Sequence, residues 1–227
     1  MIAKALMEVD RPEVVFFASG LSNAKGADVA ARLRETNLIE ATITEHPDKL
    51  FVYISSYSIS DSDPGLNTPY LTHKANMERL IAQKAKLYLI LRTSNIVGKS
   101  RQAGNLMNFI YNNLKEGNPF DIWTKTSRNL LDVQDLATMA SRAVAQGLGC
   151  TTQYLVHPND ISIYDIVQQF EALTQLKGNY SLVDKGTYYI CDKRLSEKLF
   201  QDCKLVTDPK DYTRGLIKKY FMEVNQA

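Results

Sequence analysis

The sequence predicts an α/β fold: a parallel sheet with helices on both faces, followed by a small C-terminal α+β lobe. Three observations carry this. Val14–Phe17, Leu50–Ile54 and Leu87–Leu91 are continuous apolar runs, the pattern of strands buried on both faces. Helical stretches long enough to serve as crossovers separate them. Each run ends in small or polar residues: Ala18-Ser19-Gly20, Ser55-Ser56 and Arg92-Thr93-Ser94-Asn95. Right-handed crossovers bring such strand ends to one rim, where sheets of this kind bind ligands.

The elements follow in order. Ile2–Met7 reads as a short helix, broken by Pro12. The Val14–Phe17 strand leads to a helix over Asp28–Thr44, whose apolar positions are Val29, Leu33, Ile39 and Ile43. The Leu50–Ile54 strand is followed by a turn-rich polar loop, Ser60-Asp61-Ser62-Asp63-Pro64-Gly65. Pro69 suits a first helical turn and opens a helix reaching Gln83. After the Leu87–Leu91 strand, Asn105–Lys115 is helical, and Ile122 and Leu130–Val133 read as short strands. Gln134–Ala145 is a helix stopped by Gly147 and Gly149. Tyr154–Val156, Ile163–Leu173 and Lys193–Phe200 then give strand, helix, helix. This divides the chain into a core over residues 1–149 and a smaller lobe over 150–227, with strands exchanged between the two.

Composition excludes several classes. The 227 residues are 44% hydrophobic, enough for a core without disulfides. Lys and Arg number 27 and Asp and Glu 25, so the net charge of +2 argues against a nucleic-acid partner. No apolar run reaches the roughly 18 residues of a membrane span. Met1–Asp10 carries Lys4 and Glu8 without a long apolar stretch, unlike a signal peptide. Cys150, Cys191 and Cys203 are odd in number and widely spaced, which points to a reducing, cytoplasmic compartment and to no metal site.

The sharpest local pattern is Pro69-Tyr70-Leu71-Thr72-His73-Lys74. Tyr70 and Lys74 are four apart and share a helix face. A nearby ammonium favours phenolate and lowers a tyrosine pKa, and a tyrosine so tuned can move a proton at a carbinol. Ser56, at the preceding strand end, could hydrogen-bond the substrate oxygen. Alone, Y-x-x-x-K recurs by chance, as a half-buried tyrosine beside a solvated lysine.

Context makes the pattern more specific. Phe51-Val52-Tyr53-Ile54-Ser55-Ser56 resembles the strand leading to the catalytic Ser/Thr of the extended short-chain dehydrogenase/reductase superfamily, nucleotide-sugar epimerase/dehydratase type. Pro69-Tyr70-Leu71-Thr72-His73-Lys74 with Glu78 resembles its P-Y-x-x-S-K-x-x-x-E stretch, His73 standing where Ser is usual. Leu91-Arg92-Thr93-Ser94-Asn95-Ile96-Val97-Gly98 resembles its L-R-x-x-N-x-x-G segment. Arg128-Asn129-Leu130-Leu131-Asp132-Val133-Gln134-Asp135-Leu136-Ala137 resembles its R-x-x-x-x-V-x-D-L-A segment, and Asn37 matches a helix asparagine. The matches fall in the family's order over most of the chain.

The resemblance implies a Rossmann-like core and a cofactor, NAD or NADP, with a nucleotide sugar as substrate. Tyr70 would be the general acid/base. Lys74 would bind the nicotinamide ribose and depress the Tyr70 pKa, and Ser56 would orient the substrate oxygen. Ala18, Ser19, Gly20, Ser55, Thr93 and Ser94 would line the cofactor. Asn95 and Arg128 would meet substrate, although a loop-bracing asparagine and a surface ion pair explain them equally well. Asn37 suits helix packing better than chemistry, and Arg92 suits bracing.

Two departures stand out. Family dehydratases carry Asp-Glu after the catalytic Thr, whereas here Tyr57-Ser58 follow Ser56. The glycine-rich turn G-x-x-G-x-x-G, which lets backbone approach a pyrophosphate, is absent from the sequence. Met1–Leu6 looks like the start of the helix after that turn, so the chain is expected to begin a strand late. Val14–Phe17 would then be an exposed apolar edge that invites a second copy to form a homodimer. Two readings result: an NAD(P)-dependent epimerase or reductase, or a non-catalytic sensor or scaffold of the same fold with weak or no dinucleotide binding.

Overall fold

The computed structural model describes residues 1–21, 25–60, 68–99, 105–186 and 190–222. Asp61–Gly65 of the polar loop therefore lies outside the described residues. The main sheet holds four parallel strands, β1 (Val14–Phe17), β2 (Leu50–Ser56), β3 (Tyr88–Thr93) and β8 (Thr151–Leu155), in the order β1-β2-β3-β8. Phe17 pairs with Tyr53, Ser56 with Thr93, and Thr93 with Leu155, so the strand ends form one rim.

Two helical layers cover the sheet. On one face lie α2 (Val29–Glu45) and α3 (Pro69–Lys84), packed on Phe17, Phe51, Tyr53 and Ile90. On the other lie α1 (Ile2–Met7) and α5 (Val133–Ala145), over Val52, Ile54, Leu89 and Leu91. Successive strand residues point to opposite faces. Each strand must therefore be apolar on both, which is why these runs read as continuous.

The helix starts follow from local chemistry. Asp28 caps α2 by accepting from the Ala31 N–H at 3.1 Å. Thr68 caps α3 by accepting from Leu71, with Pro69 at the first helical position. The apolar positions of α2 differ from expectation. Ile39 and Ile43 are buried, but Val29 and Leu33 are 67% and 58% exposed. The buried stripe runs Glu35-Ile39-Ile43, so a carboxylate occupies the place expected for an aliphatic side chain. Asn37 lies exposed on α2, which does not fit a packing role.

β1 is the edge strand of the described sheet, but its apolar side chains are covered: Val14 and Phe17 are buried, Val15 and Phe16 half-buried. The expected bare apolar edge is thus reduced to edge backbone.

Strand pairing crosses residue 150 in both directions. β8 completes the main sheet, while β5 (Pro119–Trp123) pairs in parallel with β10 (Asn179–Val183). β4 (Asn95–Val97) pairs with β7 (Leu130–Asp132), and β6 (Ser127–Arg128) with β9 (Ile161–Ser162). The remaining helices are α4 (Leu106–Glu116), α6 (Ile163–Thr174), α7 (Arg194–Asp202) and α8 (Pro209–Ile217), followed by a π-helical turn over Lys218–Met222. Tyr212 on α8 donates from its hydroxyl to Asp135 and accepts the Asp132 N–H. Lys219 donates to Asp132 at 2.8 Å. These bonds tie the C-terminal segment to the start of α5.

Gly186 marks the lobe's tightest turn. Its φ is +121°, and a Cβ there would lie 2.0 Å from Thr126 Oγ1 and 2.8 Å from backbone atoms. Gly186→Ala is expected to lower stability by about 1–3 kcal/mol, read as a fall in urea midpoint at constant m. An unchanged midpoint would contradict this packing.

Candidate active site

The site stands at the rim formed by the ends of β1, β2 and β3. Tyr70 opens α3 at that rim, and Ser56 ends β2. Ser56 and Tyr70 share a side-chain hydrogen bond, and the Ser56 oxygen also accepts the Ser58 N–H at 3.3 Å. Burial pushes the Tyr70 pKa above its ordinary value, the Ser56 hydrogen bond acts against this, and the Glu35 charge adds to the rise.

Lys74 does not act on Tyr70 as expected. Its ammonium donates to Glu35 Oε1 at 3.1 Å and to the Tyr53 hydroxyl at 2.8 Å, and it lies 4.7 Å from the Tyr53 ring centroid. Glu35, Tyr53 and Lys74 are 1%, 0% and 2% exposed. The expected lowering of the Tyr70 pKa is replaced by a rise, chiefly from burial of the phenol, with the Glu35 charge adding to it.

Glu35 is the centre of this cluster. It accepts from the Tyr53 hydroxyl at 2.7 Å and from the Leu21 N–H at 2.7 Å, besides Lys74. His73 Nε2 lies 3.0 Å from Glu35 Oε2, and since a carboxylate only accepts, that nitrogen carries the shared proton. Burial alone would raise the Glu35 pKa. The Lys74 charge and the bonds from Tyr53, Leu21 and Lys74 outweigh it and hold the carboxyl below its usual range. Burial pulls Lys74 down, against the Glu35 charge that favours the ammonium.

A second polar layer lies on the same face of the sheet. Ser55 donates to Glu78 Oε1 at 2.6 Å. Arg92 donates to both Glu78 oxygens, at 3.0 and 2.6 Å, and to the Tyr154 hydroxyl at 3.0 Å. Ser55 lies two positions after Tyr53 on β2, so both point to the α2–α3 side. The Ser55 side chain is thereby bound to α3, and Arg92 braces α3 against the sheet.

The other sequence-predicted residues have these places. Ala18 is half-buried and Ser19 and Gly20 exposed at the end of β1. A Cβ on Gly20 would come 2.6 Å from Lys74 Nζ. Thr93 is buried, 3.4 Å from the Ser55 carbonyl. Ser94 and Asn95 both donate to the Asn129 carbonyl, at 2.8 and 3.1 Å. Arg128 sits on β6 and donates to the Ser127 carbonyl. The structure thus brings together Ser56 with Tyr70, Gly20 with Lys74, and Ser94 with Asn95.

A model of the NAD dependent epimerase/dehydratase family matches residues 2–154. The chain belongs to this family. Its Rossmann-like fold recurs in RMD from Pseudomonas aeruginosa complexed with NADPH, at TM-score 0.72 and 17% identity over 93% of this chain and 82% of that one. It recurs in dTDP-glucose 4,6-dehydratase from Bacillus anthracis in complex with NAD, at TM-score 0.69 and 15% identity over 99% and 77%. A third structure is UDP-glucose-4-epimerase from Stenotrophomonas maltophila with bound NAD and formylated UDP-arabinopyranose, at TM-score 0.69 and 17% identity over 99% and 81%. At such identities the likeness establishes the fold. Comparison with curated protein sequences gives no significant match.

For this member of the epimerase/dehydratase family, sequence reasoning missed Glu35, Tyr53 and Asn129. Asn129 is 1% exposed; its Nδ2 donates to the His157 carbonyl and to Asp160, and its Oδ1 accepts the His157 N–H. Helical spacing to Ile39 and Ile43 was the one available signal for Glu35. Among the described residues, no cluster of His, Cys, Asp and Glu could hold a metal, and no helix is long and apolar enough to cross a membrane.

Proposed function

We propose that this chain moves hydride between a bound NAD or NADP and a sugar carbon of a nucleotide-activated sugar, as an epimerase or reductase. The observation that carries the reading is the hydrogen-bonded Ser56–Tyr70 pair at the rim, one helical turn from the buried Lys74. Family membership supports the dinucleotide, and the sugar-nucleotide enzymes among the structural neighbours support the substrate class. Tyr57-Ser58 after Ser56 offers no acid/base pair for dehydration, which favours epimerisation or reduction.

The residues at the rim fit the nicotinamide end of a dinucleotide. The exposed backbone of Ser19-Gly20 lies over Lys74, and a side chain at 20 would collide with that ammonium. An ammonium has three donors. Glu35 and Tyr53 take two, which leaves one for a ribose hydroxyl. A bound nicotinamide supplies the hydride acceptor and donor. Tyr70, protonated at neutral pH, gives its proton to the sugar oxygen in the reductive direction. In the oxidative direction it must take a proton, and the Ser56 hydroxyl stabilises the phenolate for that role. Ser56 would also hold the substrate oxygen.

Thermal-shift titration with NAD, NADP, and UDP- and dTDP-sugars tests the reading. A dinucleotide-dependent rise in Tm, followed by turnover of one sugar nucleotide, is the expected result. No shift with either dinucleotide would overturn it. Ser56→Ala should cost about tenfold in kcat/KM, the worth of one hydrogen bond of ~1.5 kcal/mol. A larger loss than Tyr70→Phe would reverse the assigned roles.

A second reading, a non-catalytic sensor or scaffold, is favoured by the commitment of Lys74 to Glu35. A weak dinucleotide shift, or none, with no turnover of any sugar nucleotide would select it.

A further inference from the structure

Glu35 is the buried ionisable group that the mechanism above does not use. It is supplied by α2 and faces groups from every element around it. Tyr53 comes from β2, His73 and Lys74 from α3, and the Leu21 N–H from the segment after β1. Tyr70 and Glu78, also on α3, feel or exert charge on the same cluster. A carboxylate at 1% exposure costs much to desolvate, and such charges persist only when paired and hydrogen-bonded. This one has four donors.

We propose that Glu35 is a positioning residue of the site: it anchors the Lys74 ammonium on itself and Tyr53, beneath Gly20. The inference rests on the proposed function, because Tyr70 matters only if it moves a proton. Two consequences follow from the geometry. Lys74 is fixed beside the Ser19-Gly20 rim, with one donor left for the ribose hydroxyl of a bound dinucleotide. The Glu35 charge also opposes a second negative charge on the neighbouring Tyr70 oxygen, which biases that residue toward the proton-donating form.

The test follows the ionisation of Tyr70 in the ligand-free protein, by NMR of chains labelled at the tyrosine Cζ. The Tyr70 signal is assigned by its absence in Tyr70→Phe. In Glu35→Gln, Tyr70 is expected to titrate at lower pH than in the wild-type chain. Glu35→Asp, which keeps the charge, should restore the titration toward wild type. Glu35→Gln strands Lys74 in the core and can fail to fold, so Glu35→Gln/Lys74→Met, which removes both charges, is measured beside it. It too should show Tyr70 titrating below wild type. An unchanged Tyr70 titration in either variant would overturn the proposal and leave Glu35 a structural residue. The readout needs neither cofactor nor turnover, so a protein that binds no dinucleotide would defeat the proposed function and still decide this question.

Discussion

Tyr70→Phe is expected to reduce turnover by about 10²–10⁴-fold, the usual range for loss of a general acid/base. The substitution removes one oxygen and keeps the ring. That oxygen shares a hydrogen bond with Ser56 at a partly open rim, so the stability cost is about 1 kcal/mol or less. Tm and dinucleotide affinity should therefore survive while kcat collapses. Steady-state rates on the sugar nucleotide selected by thermal titration, beside a melting curve of the same preparation, check both halves. Retained turnover would remove Tyr70 from the chemistry. Loss of folding together with turnover would instead make its hydroxyl structural.

How much of this was legible in the sequence depends on what each residue's signal encodes. The strands were plain, because burial on both faces forces unbroken runs such as Val14-Val15-Phe16-Phe17 and Leu87-Tyr88-Leu89-Ile90-Leu91. The helices of the core were plain where caps and Pro69 announce them. β10 and α8 were not. Asn-Tyr-Ser-Leu-Val leaves three of five side chains exposed and so lacks a strong pattern. α8 is nine residues with Gly215 inside it, held largely by Tyr212 bonds made far along the chain. Of the site, the spacing of Tyr70 and Lys74 gave a shared helix face. It could not give the partner of the ammonium, because Glu35 lies 39 residues earlier and pairs through tertiary structure. A glutamate on a helix rich in charge reads as a solvated residue. Only its spacing from Ile39 and Ile43 separated it from its neighbours. The lowered Tyr70 pKa inferred from Lys74 failed first because the phenol is buried, which the spacing does not encode, and then because the Glu35 charge adds to the rise.

Lys74→Met should destabilise the chain by about 3–5 kcal/mol, the cost of leaving a buried charge without its partner. Methionine fills most of the lysine volume, so packing loss is a minor part. What remains is Glu35, 1% exposed, with Tyr53, His73 and the Leu21 N–H but without its cation. Glu35→Gln/Lys74→Met should recover most of the loss, since neutral groups of similar shape replace the pair. The pH dependence fixes the cause. In the wild-type chain the Glu35 carboxyl is held below its unfolded value, so its stabilising contribution is full above the ordinary carboxylate range and is lost as pH falls through the lower folded value. In Lys74→Met burial is no longer opposed by the lysine charge, only by the Tyr53 and Leu21 hydrogen bonds, and the carboxyl is expected to rise above its unfolded value. Folding of the variant then takes up a proton, and its stability relative to wild type improves as pH falls. Urea midpoints of the two chains, compared from neutral pH down into the carboxylate range, should converge. A deficit that stays constant with pH would mean that Lys74 contributes packing alone, and would break the link between this ion pair and the charge placed behind Tyr70.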